Sequence, residues 1–159
     1  MTEEKKKTFL VTTTINVPEF LKGILENVSK HQRKLSIIVV ADKKTPAEAR
    51  DFCTNLVKHY PNCDIHFMDI PEQLSFFKRH QDFLNIFPYN DASRKMIGTI
   101  VAYLKGAETV IMMDDDNYVN NHSVDFLGAH NIAGKELDIA CFSTKSGWFN
   151  IYDSVIEMT

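Results

Sequence analysis

The 159-residue chain is 44% hydrophobic and 25% charged, an ordinary globular balance that provides for one domain, residues 1–159, with a buried core. Its net charge of −3, with no basic stripe interleaved with aromatics, gives no reason to expect nucleic acid as a partner. No apolar run is long enough to cross a bilayer, and Met1-Thr2-Glu3-Glu4-Lys5 lacks the apolar stretch of a signal peptide, so the expectation is a cytoplasmic protein with no transmembrane segment.

Along the chain, strand and helix signals alternate. Phe9 to Ile15 is β-rich and ends at Asn16-Val17-Pro18, with the proline suited to a first helical turn. Phe20, Leu21, Ile24, Leu25 and Val28 then recur at helical spacing. Leu35 to Ala41 is a second buried strand with Asp42 at its carboxyl end, followed by Lys43-Lys44. Thr45-Pro46-Ala47-Glu48 has the form of a helix start, with Thr as cap, Pro at the first position and Glu three residues on. Asp64 to Met68 is a third strand. Residues 71–89 carry many aromatics without one period and read as a short helix and an irregular connection, with Phe76, Phe77, Phe83 and Phe87 as core.

A helix from Ser93 runs through Ile97, Ile100, Val101 and Leu104 to a glycine cap at Gly106. Thr109 to Met113 is the next strand, followed by a weaker helix from about Ser123 to Ile132 and a last strand near Asp138–Phe142. Repeated β-α order predicts an α/β three-layer sandwich with a mainly parallel sheet. Cys53, Cys63 and Cys141 lack metal-ligand spacing and are expected as reduced thiols. The six histidines form no ligand pair.

The strand ending at Met113 stops abruptly at Asp114-Asp115-Asp116-Asn117. Three adjacent carboxylates repel unless something positive sits among them. The tip of a buried parallel strand is where open α/β sheets place ligands. Mg²⁺ and Mn²⁺ are hard cations, commonly held by one or two carboxylates together with substrate phosphates. The triplet therefore points to a metal–phosphate site; the plain alternative is that it caps the next helix or faces solvent.

The run Ser93-Arg94-Lys95-Met96-Ile97-Gly98, then Lys105-Gly106-Ala107-Glu108 and the strand into Asp114-Asp115-Asp116-Asn117, resembles the core of GT-A glycosyltransferases. Thr12-Thr13-Thr14-Ile15-Asn16-Val17-Pro18 and Val39-Val40-Ala41-Asp42 fit the same fold, at the positions where that family holds the base and ribose. The resemblance extends from about Thr8 to Phe142. It implies a nucleotide-sugar donor, usually UDP-linked, bound with Mn²⁺ or Mg²⁺, and a carbohydrate or glycoconjugate acceptor.

Carried over by position, Asp116 is the direct metal ligand and Asp114 meets the metal or the ribose. Asp115 leaves the register open, since either alternate pair could serve. Thr12, Thr14 and Asp42 lie by the base and ribose. Arg94 or Lys95 takes the basic position beside the base and diphosphate; Lys95 stands where the family usually has Asn. Trp148, in a Gly-containing loop, either stacks on a sugar or packs against the domain.

Family members generally continue beyond the point where this sequence stops, with an acceptor half that carries a third metal ligand and, in inverting members, the catalytic base. Neither is placed here: Asp153 and Glu157 are candidates by charge alone, against the reading of a solvated tail. A homo-oligomer would be one way to complete the cleft.

Three readings compete with the transferase. A haloacid dehalogenase-type aspartate site also follows an apolar strand, but it wants Thr or Val two residues past its second Asp and usually opens the domain's first strand. A non-catalytic or truncated sugar-nucleotide-binding module and a sugar-nucleotide mutase are the others.

Overall fold

A computed structural model describes residues 7–120, 122–130, 132 and 136. Strand β1 (Thr8–Thr14) leads to helix α1 (Leu21–Lys30), β2 (Leu35–Ala41) to α2 (Glu48–His59), and β3 (Cys63–Met68) to the short α3 (Ile70–Phe76) and α4 (Gln81–Asn85). A 3₁₀ turn (Ala92–Arg94) opens α5 (Lys95–Leu104), which precedes β4 (Thr109–Met113) and the short α6 (Phe126–His130). The strands form one sheet in the order β3-β2-β1-β4, and every pairing is parallel.

Side chains alternate across a strand, and here both faces are covered, so β2 is apolar except at Ser36, and β1 is apolar at Phe9, Leu10 and Val11 before its closing threonines. Leu10, Ile37, Val39 and Ile111 face one core with α1, Cys53 and Leu56 of α2, and Leu127 of α6. Phe9, Val11, Ile38 and Val40 face a second core with Leu84 of α4 and Ile97, Val101 and Ala102 of α5. The result is the expected α/β sandwich with helices on both sides of a parallel sheet. On α1, Leu21, Ile24, Leu25 and Val28 are fully buried. Each contributes about 1.5–3 kcal/mol by leaving water.

Helix α5 lies close on the sheet because Gly98 has no side chain there. A Cβ at Gly98 would stand 2.6 Å from Val11 Cγ1 and 2.9 Å from Val40 Cγ2. The helix ends as the sequence predicts: Gly106 has φ of 78°, and the Ala107 and Gly106 N–H groups donate to Ala102 O and Tyr103 O. Those two bonds are the paired closure of a Schellman motif.

Elsewhere the boundaries move. Helix α2 starts at Glu48, with Ala47 in the cap position and no side chain capping the helix. Thr45 instead donates to Thr14 O (2.5 Å) and accepts from the Asp42 N–H (2.6 Å), fastening the β2–α2 turn to the end of β1. Helix α6 starts at Phe126, later than its sequence signal, because Asp125 receives the Gly128 N–H (3.0 Å) and so defines the start. Buried Asn27 of α1 holds this segment from both sides, donating to Val124 O and accepting from the Phe126 N–H.

Of the four phenylalanines expected as core, Phe77 is buried and Phe83 and Phe87 are partly buried, whereas Phe76 is 46% exposed. Phe76 sits on the outer side of the ring cluster, with its centroid 4.9 Å from that of Phe77. Cys53 and Cys63 are free and buried, and burial pushes their thiols up to about 12 and about 11, so both stay protonated and unreactive near neutral pH. Cys141 and the strand expected near Asp138–Phe142 lie outside the described residues. No helix among the described residues is long and apolar enough to cross a membrane.

Candidate functional site

In the order β3-β2-β1-β4 the chain moves outward from β1 in one direction through β2 and β3, and in the other to β4. The carboxyl ends of β1 and β4 therefore flank the point where the strand order reverses, the crevice open α/β sheets use for ligands. Thr12 is paired with Met113, and Thr14 with Ala41, so Thr14, Asp42 and Asp114 all fall at one edge of the sheet.

The three carboxylates of the triplet have three different surroundings. Asp114 is exposed and forms an ion pair with Lys95 Nζ at the start of α5. This lysine is the positive group that adjacent carboxylates require. Asp115 is half-buried and accepts from Thr14 Oγ1 (2.7 Å) and Asn16 Nδ2 (3.3 Å), which ties the β4 tip to the end of β1. Asp116 is exposed and has no protein partner among the described residues.

A second set of groups gathers at the end of β2. Asp42 and Arg94 are almost completely buried, with Arg94 Nε 3.5 Å from Asp42 Oδ2 in an ion pair that lacks hydrogen-bond geometry. Both Asp42 oxygens are occupied, Oδ1 by the Lys43 N–H and Oδ2 by the Asn90 N–H at 2.7 Å. Arg94 also donates to Phe87 O (3.0 Å) and to Gln73 Oε1. Gln73, itself buried, donates to Ala41 O and Met68 O, joining the ends of β2 and β3. Above this node the Tyr89 ring meets two cations, Lys43 Nζ at 3.9 Å and Arg94 Cζ at 4.4 Å from its centroid.

The sequence-derived residues thus separate into groups. Thr14, Lys95, Asp114 and Asp115 come together at the β1–β4 crevice, with Asp116 beside them. Asp42 and Arg94 are joined to each other and turned into the protein. Thr12 is fully buried within β1, two residues short of the tip. Trp148, Asp153 and Glu157 lie outside the described residues.

Sequence reasoning named Asn16 only within the Thr12–Pro18 run, with no role of its own, and missed Gln73, Tyr89 and Asn90. A left-handed φ of 57° at Asn90 aims its N–H at Asp42, and asparagine tolerates that backbone better than most residues. Gln73 gave no periodic signal, because its partners, two backbone carbonyls and the Arg94 guanidinium, lie outside its own helix.

No group of three or more Asp, Glu, His or Cys side chains able to hold a metal occurs among the described residues. Asp114 and Asp116 offer two exposed carboxylates on one strand tip. That set fits a hard cation completed by phosphate oxygens, rather than one caged by protein alone.

A recess of about 520 Å³ opens at the other end of the sheet, lined in part by Lys7, Lys34, Ser36 and Asp64. Its polar groups include a pair that satisfy each other, Ser36 Oγ donating to Asp64 Oδ1 at 2.8 Å. It also lies at the amino ends of parallel strands, away from the side that receives ligands, and we assign it no role in the site. Compared with models of known protein families and with curated proteins, the sequence matches none.

Proposed function

We propose that this protein binds a nucleoside diphosphate sugar, UDP-linked in the first instance, with Mn²⁺ or Mg²⁺ at the carboxyl ends of β1, β2 and β4, and transfers the sugar to a carbohydrate or glycoconjugate acceptor as a GT-A-type glycosyltransferase. The observation that carries this reading is the Asp114–Asp116 tip of β4 lying beside the end of β1, where the strand order reverses, with Asp115 fastened to Thr14 and Asn16.

Each residue then has a distinct task. Asp114 and Asp116 supply the carboxylates for the cation, whose chemistry when bound is to stabilise the charge that develops on the departing diphosphate. Asp115 keeps the tip in register with β1. Lys95 brings a fixed positive charge to the same edge. Asp42 and Arg94 hold Asn90 and Tyr89 as a wall beside the β2 end, the side on which a base would rest.

The test is thermal unfolding with UDP or a UDP-sugar, with Mn²⁺ or with chelator. Diphosphate and clustered carboxylates repel without a bridging ion, so stabilisation is expected only when nucleotide and cation are both present. Ligand at a hundredfold over Kd would add about 2.7 kcal/mol. Equal shifts in chelator and in Mn²⁺ would reject the reading. Metal-dependent binding without hydrolysis or transfer to any of a panel of sugar acceptors would reduce it to a binding module.

A further inference from the structure

Among the described residues, Asp114 alone of the three carboxylates at the β4 tip is ion-paired, and the cation comes from a side chain with little freedom. The Lys95 side chain is only 16% exposed, against 57% for Asp114. Its helix is pressed onto the sheet through Gly98, Ile97 and Val101, so the ammonium is delivered to Asp114 from a rigid base. A divalent cation taken up by Asp114 would have to share that carboxylate with the Lys95 ammonium, and the two like charges repel.

We propose that Lys95 is a built-in counter-ion for Asp114, which excludes a divalent cation from the strand tip until a diphosphate draws the ammonium away. The inference rests on the nucleotide-binding reading for the identity of the diphosphate, but its first measurement does not. A phosphate oxygen beside Lys95 offers the ammonium a stronger anionic partner than an exposed carboxylate. Asp114 is then free for the cation, and the cation in turn neutralises the phosphates. Cation and diphosphate therefore enter as a unit, and by linkage each raises the affinity for the other by the same factor.

The experiment titrates the full chain with Mn²⁺ alone, following free Mn²⁺ by electron paramagnetic resonance, and repeats the titration with UDP. Lys95→Met is expected to bind Mn²⁺ about tenfold more tightly than the unaltered protein without nucleotide, a difference of ~1.4 kcal/mol. Lys95→Arg, which keeps the charge, should retain the original weak affinity. With UDP present, the gain in Mn²⁺ affinity should be large in the unaltered protein and shrink in Lys95→Met.

Lys95→Gln provides a second neutral variant should Lys95→Met lose its cooperative melt. Neutral variants that fold and bind Mn²⁺ no more tightly than the unaltered protein would overturn the proposal. A tenfold gain with Mn²⁺ alone, together with no UDP binding to any protein, would uphold the counter-ion role and reject the nucleotide reading instead.

Discussion

At the tip of β4, Asp115 accepts hydrogen bonds from Thr14 and Asn16, whereas Asp116 has no protein partner among the described residues, so substitutions at the two positions should separate stability from binding. Asp115→Ala is expected to lower unfolding free energy by about 1–2 kcal/mol, the worth of a charge-assisted bond at a half-buried site. Asp116→Ala should change it by no more than about 0.5 kcal/mol, as surface substitutions usually do. For Mn²⁺-dependent nucleotide binding the order should reverse, with Asp116→Ala abolishing it. Urea unfolding and calorimetry read the two effects, and a larger binding loss in Asp115→Ala would mean that Asp115 belongs to the metal pair. Arg94 offers a contrasting case, because removing it strands Asp42 in the interior. Arg94→Met should cost about 3–5 kcal/mol, and adding Asp42→Asn should recover part of that loss.

At the scale of elements, two contacts decide how helices meet the sheet and each other. Gly98→Ala would drive a methyl group into Val11 and Val40. Overpacking of this kind costs about 1–3 kcal/mol. The better helix propensity of alanine returns about 1 kcal/mol. A net loss of stability, with an unchanged denaturant slope, is the expected result; a gain would mean that α5 can shift away from the sheet without penalty. The second contact is the start of α6. Burial acts to raise the Asp125 carboxyl, but the Gly128 N–H and the Arg33 guanidinium outweigh it and hold it below its ordinary 3.8. A depressed folded-state pKa contributes stability that is fully present above the ordinary value and is lost as pH falls through the folded one. Asp125→Asn should therefore be less stable than the unaltered protein at pH 6, and the difference should vanish with acidification below pH 3.8, as pH-resolved melts would reveal.

For the molecule as a whole, the two ends of the sheet make opposite predictions. Lys34→Ala and Ser36→Ala, at the amino-end recess, should leave nucleotide and Mn²⁺ affinity unchanged, whereas Thr14→Val at the carboxyl edge should weaken both by releasing Asp115. Calorimetric titration of the three variants is the measurement, and a loss of affinity in the recess variants would move the site to the other end of the sheet. The parallel strand direction singles out the carboxyl end, and the strand order places the crevice along it, by making β1 the neighbour of β4 as well as of β2.

The alternation of strands and helices, the parallel sheet, the Gly106 cap and the position of the aspartate triplet at a strand end were all legible in the sequence. Each depends on local patterning: apolar residues at strand or helix spacing, a glycine where φ is positive, charges where an apolar run stops. Side-chain pairings across the sheet edge were not legible. Thr14 meets Asp115 across 101 positions, Asp42 meets Asn90 across 48, and Lys95 meets Asp114 across 19. Nor does any periodicity tell two neighbours apart at the start of α5, where Arg94 turns inward to Asp42 and Lys95 reaches Asp114 at the edge. Local sequence determines which segments become strands and helices because backbone preference and burial pattern act within a few residues. The site was decided by tertiary structure, because charges and hydrogen-bond donors find their partners only after strand order has brought distant segments together.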